Sequence, residues 1–484
     1  MQNMNSTRRN FVKQTLIGTG AIATGFVGHA ATFGREEAAS NMQPAPGQRF
    51  NMSGYAAPKI GKVRIGFVGL GNRGPSAVER ISYIDGVEIV ALCDVLEDRV
   101  EKMQKLLEKQ GLPRAKTYSG TKEVWKEMCQ NPEIDLIYIT TPWAWHTPMA
   151  VYAMEHGKHA ACEVPAAKTI DECWQLVETS ERTKKHCMML ENCCYDFFEL
   201  LTLNMARQGF FGEIIHGEGA YIHNLLEGNF DKNKYSDMWR LKENFRNGNL
   251  YPTHGLGPIC QVMNINRGDR MEYLTSMSSN DFQMGAMANE LASKDSFYNE
   301  FAGKQFRGNM NTTTIRTNKG RTIMVQHDVT SPRIYSRIHL ISGTKGTACK
   351  WPEPAKISVG HEWLKPEEMK ALEEKYTPEI VKKIGEMAKK IGGHGGMDFM
   401  MDWRLIDCLR NGLPLDQNVY DAAMLSAIAP LSERSVANRS NSVDVPDFTN
   451  GKWETNAPVE LTLKGGGTTG VKVKNGSAEK QLKV

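Results

Sequence analysis

The chain has 484 residues, 24% of them charged and 40% hydrophobic, with a formal net charge of +4. That length accommodates two or more domains, and so small a charge gives no electrostatic reason to expect nucleic acid or an anionic membrane as partner. Ten cysteines are scattered without C-x-x-C or Cys/His spacing, which argues against a disulfide scaffold and a zinc centre, so no metal is expected.

Residues 1–31 read as an export signal. Ser6-Thr7-Arg8-Arg9-Asn10-Phe11-Val12-Lys13 precedes a moderately apolar run over 16–27, and the small pair Ala30-Ala31 follows. Basic, apolar and small-residue regions in that order mark such a segment, and the paired arginines are of the twin-arginine type. Gly18, Gly20 and Gly25 leave the run too short and broken for a stable membrane span. The expected destination is the periplasm or the cell surface. Residues 32–61, polar and containing Pro and Gly, read as a linker.

Residues 62–191 predict a Rossmann domain. Ile65, Phe67 and Val68 mark a buried strand that runs into G-x-G-x-x-G at Gly69, Gly71 and Gly74. A helix over 75–84 and a second strand over 87–94 follow, the latter ending on Asp94. That acid lies about 20 residues past the last glycine, where a ribose-binding carboxylate belongs. Gly69 permits the tight turn, Gly71 lets a pyrophosphate approach the backbone, and Gly74 lets helix and strand pack closely. The helix N-terminus then offers free N–H groups to the phosphates. Asp94 repels a 2′-phosphate and so favours NAD over NADP, a preference that Arg73 weakens a little. Helices over 97–110, 121–130, 147–157 and 169–184 alternate with strands over 134–142, 159–163 and 187–192, as in a doubly wound parallel sheet. Ligands in such sheets sit beyond the carboxyl ends of the strands. The candidates there are Trp143, Ala144, Trp145 and His146, then Glu163 and Val164, then Asn192.

The pattern changes at residue 192. Segments 214–221, 312–317, 322–329, 337–342 and 347–351 have strand character and fit an open, mainly antiparallel sheet in an α+β domain over 192–449. Trp239-Arg240 sits in a polar, aromatic stretch. Tyr251-Pro252-Thr253-His254-Gly255-Leu256-Gly257-Pro258 reads as a rigid turn opening a helix over 257–263, with His254 placed for proton transfer. Residues 365–390 read as a charged, solvated helical region, 397–409 and 419–435 as helices, and 450–484 as a polar, peripheral tail.

With these pieces placed, the chain resembles the Gfo/Idh/MocA oxidoreductase superfamily from about residue 62 to 447, and within it glycoside hydrolase family 109. The strings that carry the resemblance are LGNRG (70–74), TTPWAWH (140–146), CEVPAA (162–167), ENCCYD (191–196), YPTHGLGPI (251–259) and GGHGGMDFMM (392–401). The resemblance implies an NAD-dependent α-N-acetylgalactosaminidase acting on glycans with a terminal α-linked N-acetylgalactosamine. It assigns NAD to Asn72, Arg73, Asp94, residues 143–146, Glu163, Val164 and Asn192. It assigns the sugar to Tyr221, Arg240, Tyr251, Pro252, Thr253, His254 and Tyr335. A homo-oligomer formed through the open sheet is a further expectation of the resemblance. One departure from the wider superfamily stands out: Glu163-Val164-Pro165 replaces E-K-P, so the usual acid/base lysine is missing.

The mechanism implied is transient oxidation at sugar C3, loss of the C2 proton, elimination of the C1 substituent, addition of water and reduction, with NAD returned unchanged. NAD-dependent glycosidases are an exception to the two-carboxylate scheme. His254, Tyr335 and Tyr251 are the candidate proton-transfer groups. Two alternatives stay open on residues alone: a sugar dehydrogenase with net hydride transfer, and a non-catalytic NAD- or sugar-binding protein.

Overall fold

The computed structural model describes residues 50–475 and 478–482. The export-signal reading and most of the linker reading fall outside them. No helix among the described residues is long and apolar enough to cross a membrane.

The chain first builds a six-stranded parallel sheet in the order β3-β2-β1-β4-β5-β6. Its strands are β1 (Val63–Val68), β2 (Val87–Cys93), β3 (Lys116–Tyr118), β4 (Leu136–Ile139), β5 (His159–Cys162) and β6 (Cys187–Met189). Helices α1 (Gly74–Ser82), α2 (Glu97–Lys109), α3 (Val124–Gln130), α4 (His146–Glu155) and α5 (Ile170–Thr183) form the crossovers. β1 and β4 bury nearly every side chain, as expected of strands covered on both faces. The strand order reverses beside β1, so the glycine loop leaves the sheet at its switch point, where ligands bind.

The second sheet has nine strands, ordered β14-β13-β12-β11-β7-β10-β9-β8-β15. At its centre lie β7 (Ile214–Ile222), β9 (Met310–Thr317) and β10 (Thr322–Asp328), flanked by β8 (Met271–Ser278) and β11 (Leu340–Gly343). β12 (Thr347–Cys349), β13 (Lys356–Val359), β14 (Glu362–Trp363) and β15 (Val443–Asp444) complete it. β7 and β10 pair in parallel and the other pairs are antiparallel. The mainly antiparallel expectation is met, although β8 carries too little alternation to be read from sequence.

Helices α6 (Phe197–Arg207), α7 (Leu226–Phe230), α8 (Trp239–Glu243) and α9 (Thr253–Val262) precede α10 (Met284–Lys294), α11 (Pro366–Tyr376) and α12 (Glu379–Ile391). The last two are α13 (Met397–Asn411) and α14 (Val419–Ala437), which return to cover the parallel sheet. Asp402 of α13 accepts from Arg80 Nε at 2.9 Å and from Tyr138 Oη at 2.7 Å. Ser426 of α14 accepts from the backbone N–H groups of Ala166 and Ala167.

Four expectations need correction. The helix after Tyr251 starts at Thr253, not 257, so His254 lies in its first turn. Its glycines serve close packing instead of breaking the helix. A Cβ on Gly255 would collide with the backbone of Ala220, and one on Gly219 with that of Gly255. The charged stretch over 365–390 is two helices, and α12 buries Ile380, Ile384 and Ala388. The linker is packed from Phe50 onward: Met52 is buried and its N–H donates to Tyr420 Oη at 3.1 Å. The tail is not peripheral either. Asp407 accepts the N–H groups of Gly467, Thr468 and Thr469, Trp403 Nε1 donates to Thr469 O, and Val471 is buried where it bridges to Ile84. Hydropathy cannot detect a tail held by its backbone N–H groups.

Candidate active site

The glycine loop has the shape expected of a phosphate cradle. Gly69 sits at φ +90°, and a Cβ there would lie 2.8 Å from the Thr140 carbonyl carbon. A Cβ on Gly74 would strike Gly69 O. At Gly71 a Cβ would meet only the tip of Arg99, at 3.4 Å, so that side of the loop is open to a ligand. Asp94 does more than the ribose contact expected of it. Its oxygens accept from Leu70 N at 2.7 Å and Leu96 N at 3.0 Å, which pins the loop. Each oxygen retains a lone pair for a hydroxyl. These features fit a dinucleotide, with Asn72 and Arg73 at the helix mouth.

The other strand ends converge on the same side. Trp143, Ala144 and Trp145 form one 3-10 turn that leads into α4. Trp143 is buried and stacks on Tyr251 at 5.7 Å. His146 is fully buried, with Nδ1 2.7 Å from Pro165 O and Nε2 2.7 Å from Thr141 O. Its ring thus ties two strand-end loops together and shapes the cofactor side from behind. Glu163 accepts from Arg73 Nε at 2.9 Å, and Val164 beside it is buried. Asn192 donates to Asp398, a residue of α13.

Two histidine–carboxylate pairs face this region. His254 Nδ1 lies 2.8 and 2.9 Å from the two oxygens of Glu191. Glu191 is fully buried, and its side chain also accepts Cys193 N at 3.1 Å. Burial pushes its carboxyl up, but the charge and hydrogen bond of His254 outweigh that and hold it below its ordinary value. Glu191 is therefore a carboxylate that holds the proton on Nδ1 and leaves Nε2 as the imidazole's other nitrogen. His394 Nδ1 lies 2.9 Å from Asp398 Oδ2. Burial likewise pushes Asp398 up, and His394, Arg73 and Arg80 together hold it well below the usual range. His394 rides a loop in which Gly392, Gly393, His394, Gly395 and Gly396 all have positive φ. Its side chain is 52% exposed, against 14% for His254.

The facing wall is aromatic. Tyr221, on β7, lies 4.6 Å from Tyr251 and 5.4 Å from His254, centre to centre, and Tyr251 lies 4.8 Å from His254. Tyr335 stands 6.4 Å from Tyr221 and 5.1 Å from His223. Burial raises the pKa of all three phenols. The Arg240 guanidinium is 5.4 Å from both the Trp143 and Tyr251 rings, a cation–π seat. Pro252 and Thr253 are buried at the helix start and set its direction. Tyr221, Tyr251, His254, Tyr335 and Arg240 are thus linked by ring contacts. Ligand-type atoms of Glu191, Cys193 and His254 also lie within 4.8 Å of one another. Glu191 already accepts from His254 Nδ1 and Cys193 N, and burial pushes the Cys193 thiol well up, so the chemistry is that of a hydrogen-bonded pair.

Sequence reasoning missed Glu191, His394 and Asp398 as site residues. All three lie inside strings already singled out, ENCCYD and GGHGGMDFMM. What was missing was the pairing across more than 60 residues of chain for Glu191 and His254.

A glycine loop at the switch point of a parallel sheet, facing an open sheet and a histidine-bearing helix, defines an oxidoreductase-type architecture with an NAD-binding domain. Residues 63–191 match the oxidoreductase family, NAD-binding Rossmann fold, and NAD is the cofactor of this domain. Residues 195–455 match the glycosyl hydrolase 109 C-terminal domain. The chain belongs to glycosyl hydrolase family 109 and is a glycoside hydrolase of Gfo/Idh/MocA fold. It is 51% identical over 408 residues to an alpha-N-acetylgalactosaminidase of Bacteroides fragilis, covering 83% of this chain and 95% of that one. It is 46% identical over 467 residues to glycosyl hydrolase family 109 protein 1 of a Shewanella species, covering 94% and 99%. An NAD binding oxidoreductase from Klebsiella pneumoniae shares the fold with TM-score 0.61 at 16% identity, over 80% of this chain and all of that one. Levoglucosan dehydrogenase in complex with NADH does so with TM-score 0.58 at 15% identity, over 80% and 100%.

Proposed function

We propose that the protein is an exported α-N-acetylgalactosaminidase that works by a redox-neutral route. The observation that carries this reading is the convergence of two histidine–carboxylate pairs and an aromatic wall on the cofactor side of the Rossmann sheet. The 51% identity to an alpha-N-acetylgalactosaminidase supports the substrate.

Gly69, Gly71 and Gly74 would hold the cofactor with Asn72, Arg73, Asp94, Trp143, Glu163 and Asn192. When bound, NAD supplies a reversible hydride store, so the overall hydrolysis needs no external oxidant. The chain's own groups handle the protons. His254, with Nδ1–H fixed on Glu191, accepts a substrate proton at Nε2. Tyr335 takes the other, so that the two divide the C3 hydroxyl and the C2 proton. Tyr251, 4.8 Å from the His254 ring, donates to a sugar oxygen. Arg240 holds a hydroxyl or the acetamido oxygen in its ring of aromatics. His394, the more exposed imidazole, gives its proton to the departing C1 oxygen and activates the water that replaces it. The missing lysine at Val164 fits this division, since the base comes from α9 and not from the end of β5.

Hydrolysis of a chromogenic α-N-acetylgalactosaminide without added NAD, run in D₂O, tests the reading. Expected is sugar release with deuterium at C2 and no net NADH. Release with C2 unlabelled would reject the elimination route. Stoichiometric NADH with no released aglycone would reject the glycosidase in favour of a dehydrogenase.

A further inference from the structure

Behind Tyr335 lies a closed ring of four charges that the mechanism above does not use, with Glu199 and Arg337 buried and Asp196 and Lys350 partly buried. Asp196 caps α6 and Glu199 lies in its first turn. Arg337 Nη2 reaches Asp196 Oδ2 at 2.5 Å and Glu199 Oε1 at 2.7 Å. Lys350 Nζ reaches Asp196 Oδ1 at 2.6 Å and Glu199 Oε2 at 3.3 Å. Burial pushes both carboxyls up; Arg337 and Lys350 hold Asp196 well below the usual range all the same, while burial and the Asp196 charge leave Glu199 at about 7.

One contact leads from the ring to Tyr335. Arg337 Nη1 donates to Tyr335 Oη at 3.3 Å, while Arg337 Nε is buried without a partner. The guanidinium also lies 5.6 Å from the Trp351 ring, which itself sits 5.3 Å edge-on to Tyr335. The backbone has been bent to achieve this. Ile338 and His339 have φ of +59° and +48°. A β-branched residue in that region is a genuine outlier, and such outliers gather at functional sites. The kink turns Arg337 inward immediately before β11 begins.

We propose that Arg337, held by Asp196, Glu199 and Lys350, is a positioning residue that aims the Tyr335 hydroxyl and stabilises its phenolate. This rests on Tyr335 acting in the reaction. Arg337 works in the right direction, since its charge and hydrogen bond oppose the rise that burial imposes on Tyr335. The other groups facing Tyr335 are His223 at 5.1 Å and Tyr221 at 6.4 Å. The ring itself is faced by the Cys193 thiol and, across Thr202, by His339.

The test is a double-mutant cycle on the NAD-loaded enzyme with Tyr335→Phe and Arg337→Met. Arg337→Met alone leaves two carboxylates facing one lysine, so the partner variant Arg337→Met/Glu199→Gln restores charge balance and keeps the fold testable. Expected is a loss of kcat of about 10-fold to 100-fold in each Arg337 variant, with KM little changed. The ascending limb of the kcat profile, which reports formation of the phenolate base, should move to higher pH in the same variants. Adding either Arg337 variant to Tyr335→Phe should cost nothing more, because Arg337 acts through that hydroxyl. A further loss when an Arg337 variant is added to Tyr335→Phe, or an unmoved ascending limb, would overturn the proposal. If Tyr335→Phe itself keeps full turnover, the assignment of Tyr335 fails instead, which separates the two readings.

Discussion

The two histidine–carboxylate pairs use the same chemistry in opposite settings. Glu191–His254 is built into packed structure: a fully buried carboxylate at the end of β6 and an imidazole in the first turn of a helix pressed against β7. Asp398–His394 pairs an equally buried carboxylate with an imidazole on a loop of left-handed glycines, more than half exposed. The first arrangement suits a base that must hold one tautomer and one direction. The second suits an acid that must meet leaving groups of varied shape and exchange protons with solvent.

The largest expected effect comes from the buried pair. His254→Ala should lower kcat by about 10²–10⁴ while bound NAD, read by absorbance of the purified protein, is retained. Near-normal turnover would remove His254 from the chemistry. His394→Ala should cost on the order of 10² on a natural glycan and far less on an aryl glycoside with a good leaving group. Equal losses on both substrates would deny it the acid role. Glu191→Gln should cost about 10-fold to 100-fold in kcat, with Glu191→Asp recovering part of it. If Gln matches wild type, the carboxylate does not set the tautomer.

Two glycine substitutions sharpen the contrast in stability. Gly255→Ala forces a methyl into the Ala220 backbone and should cost about 1–3 kcal/mol by denaturant unfolding. Gly395→Ala meets nothing within 4 Å but sits at φ +75°, so only strain of about 1–2 kcal/mol remains. The reverse order would contradict the rigid-versus-open distinction.

The smallest effect concerns acid stability. Glu191 and Asp398 both titrate below their ordinary values in the fold. Their contribution is therefore present above the unfolded values of about 4.3 and 3.9 and is lost as pH falls through the folded ones. Melting scans below about pH 4 should show a shallower decline in Glu191→Gln and Asp398→Asn than in the parent. Parallel curves would mean the pairs do not couple to folding.

The fold was legible because its signals are local. Apolar runs, a glycine triad and an acid at fixed spacing sit within one stretch of chain, and residues 63–191 form the expected sheet around them. The strings TTPWAWH and YPTHGLGPI hold Trp143 and Tyr251, whose rings the fold stacks together. His254 was found, but its helix start was misjudged, because Gly255 and Gly257 look like breakers until β7 is seen lying against them. The tail and the linker were misread for a related reason. Their anchors are backbone N–H groups on Asp407 and one side-chain hydroxyl of Tyr420, which carry no hydropathic mark.

By itself the sequence determined the Rossmann half, the cofactor and the family, since each depends on short-range spacing or on ordered motifs. Tertiary structure alone decided that Glu191 serves His254, that His146 braces loops from behind, and that a four-charge ring stands behind Tyr335. Those facts depend on side chains separated by tens to hundreds of residues meeting in a low-dielectric interior. There a charge must find its partner, and no linear pattern records which one it finds.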